Sequence, residues 1–149
     1  MQKNYSFIFK SVQETHAWGK RFGSLLQPGD VIALVGGLGT GKTTLTQSIA
    51  QGWGYREEVT SPTFSLVNEY RSRKGFLFHM DLYRLTAKEL KHFEFEEYMQ
   101  EGICVIEWAD RARNRWPQKT LEIQLTTINN HQRQLKFIKP NAEWKQRLD

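Results

Sequence analysis

Residues 36 to 43 read GGLGTGKT, a complete G-x-x-x-x-G-K-[ST] loop. It follows the apolar run Val31-Ile32-Ala33-Leu34-Val35 and precedes the helix-like stretch Thr44 to Gln51, with Gly54 as its stop. Few folds accommodate a buried strand, a glycine loop and a helix in that order. The loop functions only where converging backbone N–H groups and a helix N-terminus face one anion. Gly36, Gly37, Gly39 and Gly41 are expected to supply positive φ and close approach. Lys42 offers a cation for terminal phosphates and Thr43 a hydroxyl for magnesium, while Leu38, Thr40 and Thr44 complete the set expected around the phosphates. The pattern predicts binding of a nucleoside triphosphate.

A chain of 149 residues reads as one domain, 1–149, with little room for a second substrate domain. Its first residues, MQKNYSFIFK, lack a long apolar stretch with a cleavage site, and no run approaches 18 apolar residues; a cytoplasmic protein without membrane contact is expected. The single cysteine, Cys104, sits inside Ile103-Cys104-Val105-Ile106 and reads as a buried thiol rather than a nucleophile. A net charge of +5 fits an acidic partner such as nucleotide, nucleic acid or an acidic protein surface. Basic residues cluster at Arg71, Arg73, Lys74 and at Arg111, Arg113, Arg115, and two readings are open for them: solvated faces or a docking surface.

Along the chain, Tyr5, Phe7 and Phe9 alternate as a first strand, and Ser11 to Glu14 form a capping box for a helix with Trp18, Phe22, Leu25 and Leu26 on its apolar face. After an irregular stretch, Tyr55 to Thr63, the run Phe64 to Tyr70 and Phe76-Leu77-Phe78-His79-Met80 read as an antiparallel pair. Thr86 to Glu89 open a second helical segment carrying Leu90, Phe93, Tyr98 and Met99 up to Gly102. Ile103 to Ile106 is another buried strand, and a short basic helix leads to Trp116. Two alternating strands flank Asn129-Asn130, and Ala142 to Leu148 form a terminal helix. The economical architecture is α/β: a three-layer domain with a mixed, partly parallel β-sheet.

A magnesium–nucleotide site also needs an acid at the end of a buried strand beside the loop, and the chain offers Asp81 and Glu107. Each could reach the metal directly or through water. Thr60-Ser61-Pro62-Thr63-Phe64 places three hydroxyls around a proline, a composition that suits sensing of a γ-phosphate but by itself reads first as an ordinary polar loop.

Four blocks in this order, GGLGTGKTT, TSPTFSLVNEY, HMDLYRL and VIEW, closely resemble the bacterial TsaE (YjeE) proteins over roughly residues 11 to 137. These are small P-loop ATPases needed to make threonylcarbamoyladenosine (t6A) in tRNA. The resemblance implies a P-loop NTPase fold that binds ATP and Mg2+, hydrolyses slowly alone, and acts as a switch on TsaB and TsaD. A contact with tRNA through the basic loops is a further possibility. It implies that Gly36 to Thr43 hold phosphates, that Thr43 and Glu107 bind magnesium, and that Lys42, Asp81 and Glu107 are the catalytic set. Thr60, Ser61 and Thr63 would form a first switch loop and Asp81 the second-switch acid. Tyr83 and Arg84 share the HMDLYR block; Arg84 would neutralise phosphate charge or pair with a switch acid. Trp108 would shield or gate the site, or simply pack in the core. Ser11, Val12 and Arg133 would hold the base, although Arg133 also reads as an exposed strand residue. The chain departs from the family's frequent GDLGAGKT by having Gly37 in place of Asp, which removes a charge but no fixed motif position.

Three other readings compete. A small-molecule kinase would need an arginine-bearing lid, for which Arg111, Arg113 and Arg115 are the candidates. A GTP switch is disfavoured because the Asn-Lys-x-Asp signature is absent. An RNA-binding module could draw on five tryptophans and nine phenylalanines, yet these fall at core-like spacing.

Overall fold

The computed structural model describes residues 5–57 and 66–148. Seven strands form one sheet in the order β1-β7-β6-β2-β5-β4-β3: β1 Ser6–Phe9, β2 Val31–Val35, β3 Val67–Ser72, β4 Gly75–Asp81, β5 Gly102–Glu107, β6 Leu121–Thr127 and β7 Arg133–Ile138. The central β6, β2, β5 and β4 run parallel, and antiparallel pairing adds β7 and β1 at one edge and β3 at the other. Parallel strands are covered on both faces, which is why β2 and β5 are buried throughout and read as continuous apolar runs.

Alternation along β2 divides the core. Ile32 and Leu34 point to the cluster containing Phe22, Leu45, Ile49, Trp53 and Trp144. Val31, Ala33 and Val35 point to the opposite cluster with Leu90, Phe95 and Met99. Helices α1 Val12–Ser24, α2 Lys42–Trp53 and α5 Ala142–Leu148 therefore cover one face, and α3 Ala87–His92 and α4 Phe95–Glu101 the other. The expected mixed, partly parallel α/β architecture of a P-loop NTPase is what the chain adopts. Among the described residues no helix is long and apolar enough to cross a membrane.

Helices α1 and α2 meet almost backbone to backbone. A Cβ on Gly23 would lie 2.3 Å from the Ile49 carbonyl oxygen, and one on Gly52 would lie 2.1 Å from that of Lys20. Ser48 Oγ and His16 Nδ1, 2.6 Å apart, add a polar link across the seam.

Four local expectations are corrected. Ser11 caps α1 by accepting from Glu14 N, but the Glu14 carboxylate accepts from Lys10 N, one residue before the cap. Leu25 is 43% exposed, because it caps the C-terminus of α1 and turns away from the apolar face. The single helical segment after Thr86 is two helices, broken where Phe93 takes an extended ψ of 131°. The reason lies in Arg115, whose guanidinium donates to the Leu90 and Phe93 carbonyls and so satisfies the end of α3. The strand expected from Phe64 is seen from Val67 and runs on to Ser72, with Phe64 outside the described residues.

Candidate functional site

The turn after β2 carries positive φ at Gly36, Gly39 and Gly41, and Gly41 is the left-handed cap from which α2 begins. Gly36 admits no side chain, since a Cβ there would meet the Leu125 carbonyl oxygen at 2.5 Å. Gly37 departs from the expectation: its φ is not positive, and nothing lies within 4 Å of where its Cβ would be. The loop thus tolerates a side chain at 37, and glycine there meets no backbone requirement.

Lys42 is 5% exposed and folds back on its own loop. Its Nζ donates to the carbonyls of Gly36 at 2.9 Å and Gly37 at 2.6 Å, and it lies 4.2 Å from the centre of the Trp108 ring. Burial pushes the Lys42 pKa below the ordinary lysine value, against the opposing pull of the Glu107, Asp81 and Asp110 carboxylates. Thr40 Oγ1 donates to the Gly37 carbonyl at 3.0 Å, bracing the turn.

Parallel pairing sets Asp81 beside Glu107 at the carboxyl ends of β4 and β5. Thr43, in the first turn of α2, donates from Oγ1 to Glu107 Oε1 at 3.2 Å. Asp81 Oδ1 accepts from Tyr83 N at 3.0 Å. Glu107 is 3% exposed, and its Oε2 accepts from Nε2 of His79, which is wholly buried. Sequence reasoning missed His79. The signal was available, because a polar residue in the middle of an apolar strand must find a partner.

These groups open on one cavity of about 780 Å³. Leu38 to Thr44, Asp81, Tyr83, Arg84, Glu107 and Trp108 line one part of it, and Ser11, Val12 and Arg133 line another. The structure therefore brings together the expected phosphate, acid and base-holding residues that it describes, except that Gly36 and Gly37 stand behind the lining. Thr60, Ser61 and Thr63 lie outside the described residues. Lys10, Gln13, Thr15, Asn130 and His131 also face the cavity and were not singled out. Arg133 is tied to its own hairpin, donating to the Asn129 carbonyl at 2.8 Å. Tyr83 and Trp108 rings pack at 4.8 Å, and Trp108 holds a left-handed φ of 57°.

The oxygen-rich set at the inner end suits a hard cation: a hydroxyl and a carboxylate already within 3.2 Å, with a second carboxylate on the adjacent strand. Beside Gly39 and Gly41 nothing but their own chain neighbours comes within 4 Å of where a Cβ would lie, which leaves the α2 N-terminus open to an anion.

The arginines beyond β5 are engaged elsewhere. Arg111 Nη1 donates to the Leu82 and Leu85 carbonyls, Arg113 pairs with Glu122 at 3.0 Å, and Arg115 caps α3. Arg111 and Arg115 brace the loop after β4 and helix α3, whereas Arg113 lies at the surface against β6.

A family model described as threonylcarbamoyl adenosine biosynthesis protein TsaE matches residues 9–135. A tRNA threonylcarbamoyladenosine biosynthesis protein TsaE from Treponema pallidum is 40% identical over 133 residues, covering 86% of this chain and 96% of that protein. The protein of the same description from Bacillus subtilis is 37% identical over 126 residues, covering 84% and 79%. The crystal structure of Bacillus subtilis YdiB superposes with a TM-score of 0.79 at 30% identity, covering 99% of this chain and 93% of that one.

Proposed function

The chain belongs to the TsaE family of threonylcarbamoyladenosine biosynthesis proteins, and from that premise we propose that it binds ATP with Mg2+ in this cavity, hydrolyses it slowly alone, and acts as a nucleotide-dependent switch on TsaB and TsaD. The observation that carries this reading is the convergence of Thr43 and Glu107, 3.2 Å apart, at the mouth of the phosphate loop. Residues 1–149 are read as one nucleotide-binding domain working in the cytoplasm.

In this reading Lys42 exchanges the Gly36 and Gly37 carbonyls for the terminal phosphate oxygens, while the N–H groups of the loop and the first turn of α2 donate to the remaining phosphate oxygens. Thr43 and Glu107 hold the metal, which when bound draws charge from the phosphate oxygens. Asp81, on the neighbouring strand, orients the attacking water or holds the metal through water. Trp108 and Tyr83 screen the inner end from solvent, and Arg84 balances phosphate charge. Ser11, Val12 and Arg133 flank the base. The first switch loop is assigned to Thr60, Ser61 and Thr63 from the TSPTF block alone.

A small-molecule kinase fits less well, because Arg111 and Arg115 are spent on backbone carbonyls. The deciding experiment measures ATP turnover by the purified chain alone and with TsaB and TsaD, while scoring modified tRNA. Turnover stimulated by the pair together with t6A formation supports the reading. Transfer of phosphate to a metabolite with negligible release of inorganic phosphate overturns it.

A further inference from the structure

His79 stands outside the cavity yet touches the carboxylate at its inner end. It pairs in register with Val105 across β4 and β5, and Glu107 lies two residues further along β5, so both side chains fall on the face that carries α2. The Glu107 carboxylate oxygens can only accept, so Nε2 is the donor to Oε2. Oε1 is left as the oxygen closer to Thr43, at 3.2 Å against 3.5 Å for Oε2. The other ring nitrogen, Nδ1, is buried with no hydrogen-bond partner among the described residues. A histidine kept for general core cohesion would satisfy both nitrogens; this one serves a single acceptor.

Resting on the magnesium–nucleotide reading above, we infer that His79 is a positioning residue: by holding Oε2 of Glu107 it fixes the carboxylate so that Oε1 faces the metal beside Thr43. A glutamate has three side-chain torsions, and in a pocket that has excluded water only a fixed donor selects one of its orientations. His79 itself touches neither nucleotide nor metal, since it is wholly buried and absent from the cavity wall.

The test separates metal affinity from nucleotide affinity. Mn2+ binding to the protein–ATP complex is followed by electron paramagnetic resonance, and ATP binding in EDTA by calorimetry. His79→Gln keeps an N–H at the reach of Nε2, whereas His79→Asn and His79→Leu place no donor at Oε2, one as a polar and one as an apolar replacement. The expected result is a loss of Mn2+ affinity of about 10-fold or more in the donorless variants, with metal-free ATP affinity within about twofold of wild type by the same argument, and near-complete recovery in His79→Gln. Wild-type Mn2+ affinity in a folded donorless variant overturns the inference, as does an equal loss of metal-free ATP affinity. Should neither donorless variant fold, the wild-type protein labelled with 15N-histidine decides. The His79 Nε2 resonance should move when Mg2+ joins the ATP complex and stay put when metal-free ATP binds, and a resonance indifferent to Mg2+ sinks the idea. If Glu107→Gln leaves Mn2+ affinity intact, the metal site itself was misassigned, a failure distinct from that of His79.

Discussion

Lys42 Nζ sits 4.2 Å from the centre of the Trp108 ring, and Trp108 reaches that position only by adopting a left-handed backbone. A partly buried cation–π contact contributes about 0.5–2 kcal/mol, and the left-handed conformation of a bulky residue costs about 1–2 kcal/mol, so the two nearly offset. The ring parks the lysine without trapping it. Lys42→Ala should therefore weaken ATP binding by about 100-fold or more, from two charge-assisted bonds at about 1.5 kcal/mol each. Trp108→Leu should change it by no more than about 30-fold, the upper end of the cation–π range. Isothermal calorimetry distinguishes them, and retained affinity in Lys42→Ala would contradict the phosphate assignment.

Glu107→Ala removes the carboxylate shared by Thr43 and His79. Magnesium-dependent hydrolysis should fall by more than the roughly 10- to 100-fold typical of groups one step removed from a metal. A rate at the wild-type level in saturating Mg2+ would show that the metal is held elsewhere.

At Gly52 two effects oppose. Alanine gains about 1 kcal/mol of helix propensity, but its methyl would lie 2.1 Å from the Lys20 carbonyl oxygen, a backbone atom that cannot swing aside. Overpacking of this kind costs about 1–3 kcal/mol or more, and here the whole of α1 must shift. Gly52→Ala is expected to lower unfolding stability by about 1–2 kcal/mol in urea titration, and a stabilised variant would mean that the seam is looser than described.

Arg111→Ala strips donors from the Leu82 and Leu85 carbonyls and should cost about 1.5–3 kcal/mol, the range for hydrogen bonds to charged groups. Because this guanidinium already donates to backbone carbonyls, any tRNA binding measured across a salt series should be unaltered. A reduced salt slope would mean that Arg111 contacts phosphate.

Burial pushes the Cys104 thiol up to about 12 from an ordinary 9.0. In the folded protein the thiol stays neutral through the window in which the unfolded chain's thiol ionises. Stability from this group is thus full below pH 9 and declines as pH rises toward 12. Iodoacetamide should label Cys104 in urea and not in native buffer at pH 8, as mass spectrometry will show; labelling of the native protein would place the thiol at the surface.

The strands that made the site were legible because their signals are local. Val31–Val35 and Ile103–Ile106 are unbroken apolar runs, and the glycine loop announces its own geometry. What escaped depends on partners remote in sequence. His79 means nothing until β5 delivers Glu107 beside β4, and the break at Phe93 follows from Arg115, 22 residues away. Nor does charge pattern reveal that Arg111 and Arg115 donate to backbone carbonyls, because those carbonyls belong to loops whose path no pattern shows. Leu25 fitted the helical period but fell on the cap, where the period ends.

The glycine seam between α1 and α2 bears on how a bound nucleotide could be felt by another protein. The helix that begins at Lys42 is clamped along its flank by backbone against backbone, so the phosphate cradle is a stationary reference within the molecule. In the proposed switch, a displacement following a change at the phosphates would have to be taken up away from this seam. The seam thus gives the proposed switch a fixed side against which any partner would read the other.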